Sequence, residues 1–96
     1  MKPLELHPAA LAEGEEAAAS YAERDPRIAV RFAEELETAL NRIAEAPHRW
    51  PVYLHGTRRV RLTPFPYLVA YREEPSRILV VAIAHAKRKP GYWRKR

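Results

Sequence analysis

The 96-residue sequence contains no cysteine. It can therefore form no disulfide and offers no thiolate metal ligand, a composition that suits a reducing compartment. No apolar run approaches the roughly 18 to 20 residues needed to cross a bilayer. The first twenty residues also lack the apolar core of a secretory signal. These absences exclude a disulfide-stapled domain and give no reason to expect a membrane protein.

Several catalytic and cofactor motifs are also missing. The chain has only three glycines, and Gly56 stands alone rather than in a phosphate-binding loop. His7, His48 and His55 do not have the spacing of metal ligands, so we expect neither a metal site nor a cofactor. The two serines have no neighbouring His and Asp at a plausible spacing, which argues against a serine hydrolase.

Charge is plentiful and unevenly distributed. Residues 1–46 carry five basic and ten acidic side chains, whereas residues 47–96 carry twelve basic and two acidic ones. The last twelve residues, HAKRKPGYWRKR, hold six Lys and Arg and no acid. Such asymmetry predicts a basic face that suits a polyanion or an acidic protein partner.

The N-terminal half has the pattern of a helical hairpin. Residues 3–7 alternate as a short strand, and residues 8–24 are rich in Ala and Glu, with Gly14 as the weak point. Asp25 and Pro26 are typical of a helix start. From there apolar residues recur every three or four positions until Ala46–Pro47. This spacing predicts a second, amphipathic helix that packs against the first.

After a loop over residues 47–57 the apolar period changes to two. Residues 58–62 and 67–72 are predicted strands, and the continuous apolar run within residues 77–84 predicts a central strand covered on both faces. The element order is β-α-α-β-β-β with a basic tail. We therefore predict one α+β domain over residues 1–96, in which a helical hairpin packs on one face of an antiparallel sheet.

This order, together with the segments RRVRLTPFPYLVAYR, RILVVAIAHAKRKPGYW and FAEELETALNRIAEAPHRWP, resembles the RelE/ParE superfamily of toxins from bacterial type II toxin–antitoxin systems. The resemblance covers essentially the whole chain. It implies a cytoplasmic toxin that inhibits growth and is neutralised by a cognate antitoxin. One branch of the superfamily cleaves mRNA on the ribosome without a metal, and the ParE branch poisons DNA gyrase.

The resemblance and the residue types together suggest a site on the sheet and tail. Arg59 and Arg61 share one face of a strand, where two guanidinium groups could bind phosphate and stabilise negative charge. Arg88 resembles the arginine that stabilises the scissile phosphate in the mRNA-cleaving branch. His85 or Tyr92 could transfer a proton. The predicted catalytic residues are thus Arg59, Arg61, His85, Arg88 and Tyr92, and the predicted RNA- or target-binding residues are Arg72, Lys87, Lys89, Trp93 and Arg94.

Structural roles remain open for several of these residues. A strand-end histidine is more often structural than catalytic, and Trp93 suits an anchor for the tail better than a stacking surface. Leu68 occupies a position where mRNA-cleaving relatives often carry an arginine, with Arg72 as a possible substitute on the same face. The basic set favours a ribosome-dependent mRNA endonuclease, whereas Leu68 favours a non-enzymatic gyrase inhibitor or an inactive relative. All three hypotheses include an antitoxin with an acidic amphipathic segment, placed on the basic sheet face or along the helical hairpin.

Overall fold

The computed structural model describes all 96 residues as two helices and four strands. The strands are β1 (Leu4–Leu6), β2 (Arg58–Arg61), β3 (Tyr67–Glu73) and β4 (Ile78–His85), and the helices are α1 (Pro8–Arg24) and α2 (Pro26–Glu45). A short 3-10 helix, Leu54–Gly56, interrupts the loop before β2. The predicted element order is confirmed, and each boundary lies within about two residues of its predicted position.

The two helices meet at a single residue. The backbone N–H of Asp25 closes α1 by donating to Tyr21 O, and its carboxylate opens α2 by accepting from the N–H of Arg27 at 2.9 Å. Pro26 follows at the first helical position, where its fixed φ is favourable and its missing N–H is no loss. A one-residue link forces the helices to run antiparallel, which produces the predicted hairpin.

The sheet has the order β1-β4-β3-β2. Strands β2, β3 and β4 form the predicted antiparallel meander, with Val60 opposite Val69 and Val69 opposite Ile83. Strand β1 joins the far side in parallel with β4, pairing Leu4 with Ile78 and Leu6 with Val80. The sheet is therefore mixed rather than purely antiparallel, because the chain returns to it through the helical hairpin as a crossover.

The strand β4 is buried on both faces. A register shift pairs Tyr71 with Val80 and Ala70 with Ala82, which leaves Val81 as an extra residue. Beyond this bulge the alternation of side chains is reversed. Val80 and Ile83 therefore both face the helices, whereas Val81 and Ala82 both face the opposite side of the sheet. The predicted continuous burial of this strand is confirmed.

Two apolar clusters hold the fold together. The larger lies between the helices and the sheet and includes Phe32, Ile43, Leu62 and Tyr71, all at most 1% exposed. The smaller lies on the outer face of the sheet, where Trp93 packs against Ala70, Leu79, Val81, Ala82 and Ala84. The C-terminal tail thus supplies the second cover of β4. Neither helix has both the length and the apolar character that crossing a membrane requires.

Candidate functional site

The tail turns back across the outer face of the sheet instead of projecting into solvent. Gly91 adopts φ 81°, a left-handed conformation that favours glycine, and it turns the chain toward the sheet. Trp93 then inserts into the outer apolar cluster and is 2% exposed. Its anchoring position fits the structural role considered for it above. The basic residues on either side of Trp93 are consequently held against the domain.

The carboxylate of Glu13 on α1 binds this tail to the first helix. It accepts a 2.6 Å hydrogen bond from the Tyr92 hydroxyl and bonds of 2.9 and 3.1 Å from the Arg96 guanidinium. Arg88 approaches the same carboxylate at 3.4 Å. The Glu13 side chain is only 12% exposed. Since burial strengthens charge-assisted bonds, this cluster ties three tail side chains to the first helix.

Glu13 and Arg96 also complete the open edge of β4. Strand β1 pairs with β4 only as far as Val80, so the following backbone groups on that edge have no neighbouring strand. The N–H of Ile83 donates to Glu13 Oε1 at 3.0 Å, and the C=O of Val81 accepts from Arg96 Nη1 at 3.0 Å. The ion pair therefore takes the place of a strand and satisfies backbone groups that would otherwise be left unpaired.

The phenol of Tyr92 is held in its neutral form. Burial is the main cause of its raised pKa, and the hydrogen bond to Glu13 and the charge of that carboxylate add to it. The guanidinium carbon of Arg88 lies 3.7 Å from the Tyr92 ring centroid, and that of Arg96 lies 5.1 Å away. Tyr92 is thus clamped between a carboxylate at its hydroxyl and two cations over its ring.

Aromatic contacts connect the tail to β2. The Arg59 guanidinium lies 4.5 Å from the ring centroid of Tyr53, and Tyr53 packs 5.7 Å from Trp93. Trp93 lies 5.3 Å from Tyr92, whose ring carries Arg88. We call this series, from Arg59 through the three rings to Arg88, the aromatic ladder. It joins two predicted site residues that are 29 positions apart in sequence into one continuous surface.

A second set of arginines surrounds a cleft at the free edge of β2. This cleft has a volume of about 380 Å³ and contains Arg42 from the end of α2 and both Arg59 and Arg61 from β2. None of the three forms an ion pair within 4.0 Å, in contrast to Arg72, Arg77, Arg88 and Arg96. Trp50 also lines the cleft, and its buried Nε1–H has no partner. Three uncompensated cations beside an aromatic ring suit an anionic or nucleic-acid ligand.

The remaining predicted residues lie elsewhere. His85 is on the helix side of the sheet with its ring 5.0 Å from Tyr67, and its Nδ1 accepts from the Lys87 N–H at 3.0 Å. Arg72 donates to Glu74 and to the main-chain oxygen of Arg96. Lys87, Lys89 and Arg94 are exposed and make no ion pair. The structure therefore brings together Arg59, Arg88, Tyr92 and Trp93, places Arg61 in the adjoining cleft, and keeps His85 apart.

Five contributors were missed from the sequence: Glu13, Arg42, Trp50, Tyr53 and Arg96. A signal existed for Glu13, because it lies three residues after buried Ala10 and four before buried Ala17. An acid at helical spacing on a buried stripe indicates a carboxylate that has a buried partner. No comparable local pattern marks the other four, whose roles depend on chain segments that meet only in the folded protein.

Comparison with known proteins supports the resemblance seen in the sequence. Residues 4–90 match the family described as "ParE toxin of type II toxin-antitoxin system, parDE". A solved structure titled "Chromosomal ParDE TA system from P. aeruginosa" superposes with a TM-score of 0.77 at 17% identity, covering 88% of this chain and 96% of that one. At that identity the superposition shows the fold alone. No curated protein sequence matches.

The family match spans both helices, all four strands and the start of the tail. The structural match has the same α+β architecture. The chain belongs to the family of ParE toxins of type II toxin–antitoxin systems.

Proposed function

We propose that this toxin inhibits growth by binding its target rather than by cutting RNA, as a DNA gyrase inhibitor of the ParE type. The proposal rests on one observation: both candidate proton-transfer groups are hydrogen-bonded to other groups of this chain. The Tyr92 hydroxyl donates a hydrogen bond to Glu13, and His85 Nδ1 accepts one from the Lys87 N–H at the end of its strand. Proton-transfer groups that are already hydrogen-bonded within the domain suit a rigid binding surface better than acid–base catalysis.

The position of Leu68 adds support. Leu68 is paired with Arg61 on one side and with Ala84 on the other, in the middle of the outer face. It packs against the apolar cluster around Trp93. An apolar residue between Arg61 and the tail provides no charge to stabilise a reacting phosphate. It does suit an interface with a protein, because interface cores are apolar and rich in aromatic residues and arginine.

The alternative function, cleavage of mRNA on the ribosome, is favoured by a different observation. The cleft of Arg42, Arg59 and Arg61 holds three cations without a carboxylate partner. Such a cleft could hold a phosphodiester and stabilise the charge that develops when the RNA 2′-OH attacks. This candidate requires a proton acceptor that neither Tyr92 nor His85 supplies in its present contacts.

Induction of the toxin in bacterial cells separates the two functions. Target binding to gyrase predicts DNA-damage signalling with intact mRNA, whereas ribosome-dependent cleavage predicts fresh mRNA ends within translated codons. The double substitution Arg59→Gln with Arg61→Gln should reduce growth inhibition under either function. The matched pair Arg24→Gln with Arg31→Gln removes the same charge from exposed helix positions that form no ion pair, and should leave growth inhibition unchanged. Codon-specific cuts without DNA-damage signalling would refute the gyrase proposal.

We further propose that an amphipathic segment of a cognate antitoxin neutralises the toxin along the helical hairpin. The outer sheet face is already covered by the tail, whereas an apolar cleft of about 210 Å³ lies open between the helices, with Leu11 half exposed on its rim. Leu11→Asp should abolish rescue by the co-expressed antitoxin and leave toxicity intact. Val30→Asp is the control, because Val30 is an exposed apolar residue of α2 outside the cleft.

A further inference from the structure

A third concave surface adjoins the aromatic ladder at Tyr92, which belongs to both. The tail and the 3-10 helix before β2 enclose a cleft of about 330 Å³. Its lining consists of His55, Lys89, Pro90, Gly91, Tyr92, Arg94 and Lys95, and includes no acidic residue. The cleft is separate from the Arg42–Arg61 cleft, with which it shares no lining residue.

The six cations of the tail differ in their partners, and Lys87 is exposed, unpaired and outside the cleft. Arg88 and Arg96 are both paired with Glu13. Lys89, Arg94 and Lys95 are exposed, and none has a carboxylate within 4.0 Å. These three unpaired cations are the ones that line the cleft. The ion pairs of the domain therefore leave a concentrated positive charge at one concave place, which attracts multivalent anions.

The floor of the cleft is shaped by two residues with left-handed backbones. His55 has φ 58° and Gly91 has φ 81°. A Cβ atom at position 91 would lie 2.7 Å from His55 Nε2, so a larger residue there would have to displace the imidazole. A left-handed conformation is unfavourable for a residue such as His55 that carries a Cβ atom. Such strain persists where surrounding contacts fix the residue, and it occurs most often at binding sites.

We propose that this cleft binds a phosphate group, carried either by a nucleotide or by a nucleic-acid backbone. Lys89, Arg94 and Lys95 supply charge and donors, and the His55 ring supplies a further N–H at the floor. Lysine binds phosphate as a point charge and arginine as a planar fork, so the two residue types together can surround a tetrahedral anion. The inference does not depend on whether gyrase or mRNA is the target, because phosphate binding is measured on the isolated chain.

Pyrophosphate is the probe for the test, titrated into the full purified chain while binding is followed by calorimetry and by amide NMR shifts. The largest shifts are expected at His55, Gly91 and Lys95. The double substitution Lys89→Gln with Lys95→Gln should weaken binding by about tenfold or more, since two charge-assisted contacts are lost. The control Arg24→Gln with Arg31→Gln has the same net charge and should change binding by less than about twofold.

A second variant allows loss of the binding site to be distinguished from loss of the fold. His55→Ala removes the ring from the floor without touching the anchor at Trp93, and its fold is checked by circular dichroism. It should weaken pyrophosphate binding while the unfolding transition is retained. The proposal would be overturned if the site and control double substitutions weakened pyrophosphate binding equally. It would also be overturned if the amide NMR shifts were centred on Arg42 and Arg61. Loss of growth inhibition plays no part in this outcome, so the toxin mechanism and the phosphate site are tested separately.

The source of the phosphate is decided by two further ligands. ATP and a short single-stranded oligonucleotide are titrated under the same conditions at two salt concentrations. A nucleotide site predicts that ATP binds at least as tightly as pyrophosphate and that the oligonucleotide binds no better. A backbone site predicts tighter binding of the oligonucleotide, with a salt dependence that the Lys89 and Lys95 substitutions reduce by about two contacts. Failure of all three ligands to bind would refute the site.

Discussion

At the scale of single residues, the carboxylate of Glu13 connects helix α1 to both the tail and strand β4. Glu13 is one of four glutamates on α1, yet it alone is bound to the tail and to the edge of β4. A nearly buried charge is tolerated only when its partners are complete. Glu13 has such partners in Arg96, Tyr92, Arg88 and the Ile83 N–H.

Glu13→Gln should therefore destabilise the domain by about 2 to 3 kcal/mol, because it leaves the Arg96 guanidinium without its counter-charge. Urea unfolding gives the free energy, and hydrogen exchange at the Ile83 amide reports the β4 edge. Glu15→Gln is the control, since Glu15 is exposed on the same helix. Equal stability of the two variants would show that Glu13 does not fasten the tail.

Tyr71 should make the domain less stable at alkaline pH. Its side chain is buried and its hydroxyl donates to the main-chain oxygen of Pro47, and burial is the main cause that raises its pKa from 10.0 to about 12. A raised folded-state pKa means that the stabilisation is complete below the unfolded pKa and is lost as pH rises through the folded one. Burial also raises the pKa of Tyr67.

The free energy of unfolding should accordingly fall as the pH rises from about 10 to about 12. Chemical denaturation over this range gives the slope, and absorbance of tyrosinate follows the titration itself. In Tyr71→Phe the slope should be smaller but not zero, because Tyr67 and Tyr92 also have raised pKa values and still contribute. An unchanged slope would assign the alkaline transition to other groups.

At the scale of elements, the contact between α1 and β4 depends on the absence of a side chain. Gly14 lowers the intrinsic helix propensity of α1, as the sequence indicated, but it is buried where the helix crosses the sheet. A Cβ at this position would lie 3.0 Å from Ile83 Cδ1 and 3.6 Å from Leu36 Cδ2. The glycine therefore lowers the intrinsic stability of α1 but allows α1 and β4 to pack closely.

Gly14→Val should cost about 2 kcal/mol or more, because both γ-methyl groups would enter space occupied by Ile83 and Leu36 and a β-branched residue is unfavourable in a helix. Gly14→Ala should stay within about 1 kcal/mol of the parent, since the gain in helix propensity offsets a slight shift of the Ile83 side chain. Thermal unfolding compares the two. Two equally stable variants would indicate that the helix can move away from the sheet.

The junction between the helices is a second element-scale feature. Asp25 caps α2 through the Arg27 N–H, and the Arg27 side chain lowers the pKa of its carboxyl group. Asp25→Ala should destabilise the domain measurably, whereas Asp25→Ser keeps an oxygen for the cap and should destabilise it less. Both values follow from urea unfolding at neutral pH. A larger loss for Ser than for Ala would contradict the capping role.

At the scale of the whole molecule, the domain is closed by its own C-terminus. The four-stranded sheet has helices on one face only, so its other face would expose Leu79, Val81 and Ala84 if the tail were absent. Trp93 covers these residues, and Arg72 donates to the main-chain oxygen of Arg96 at the end of the chain. The tail is thus part of the core and, through the aromatic ladder, part of the proposed target surface.

Trp93→Ala should cost about 3 to 5 kcal/mol and increase binding of a hydrophobic dye, because it uncovers the outer apolar cluster. Trp93→Phe should cost less than about 1.5 kcal/mol, since it keeps an aromatic ring and removes the buried Nε1–H that has no partner. Denaturation and dye fluorescence measure both effects. A stable, dye-negative Trp93→Ala variant would show that the tail is not needed to cover the sheet.

Local sequence patterns were enough to predict the elements and their order. Apolar residues at spacings of three and four predicted α2, alternation over residues 58–62 predicted β2, and the apolar run in β4 predicted a strand covered on both faces. These patterns predict helices and strands because the spacing of apolar residues reflects only the local geometry of the backbone. The imbalance of charge between the two halves was equally visible, and it predicted basic surfaces without locating them.

Which charges are paired and which are free depends on contacts between distant parts of the chain. Glu13 pairs with Arg96, 83 residues away, and with Tyr92, 79 residues away, whereas the nearby Lys89 and Lys95 remain unpaired. The bulge at Val81 places that residue on the face opposite Ile83, although strict alternation would put them on the same face. Contacts over such separations depend on how strands and helices pack, and one extra residue reverses a strand's faces, so local periodicity carries no information about them.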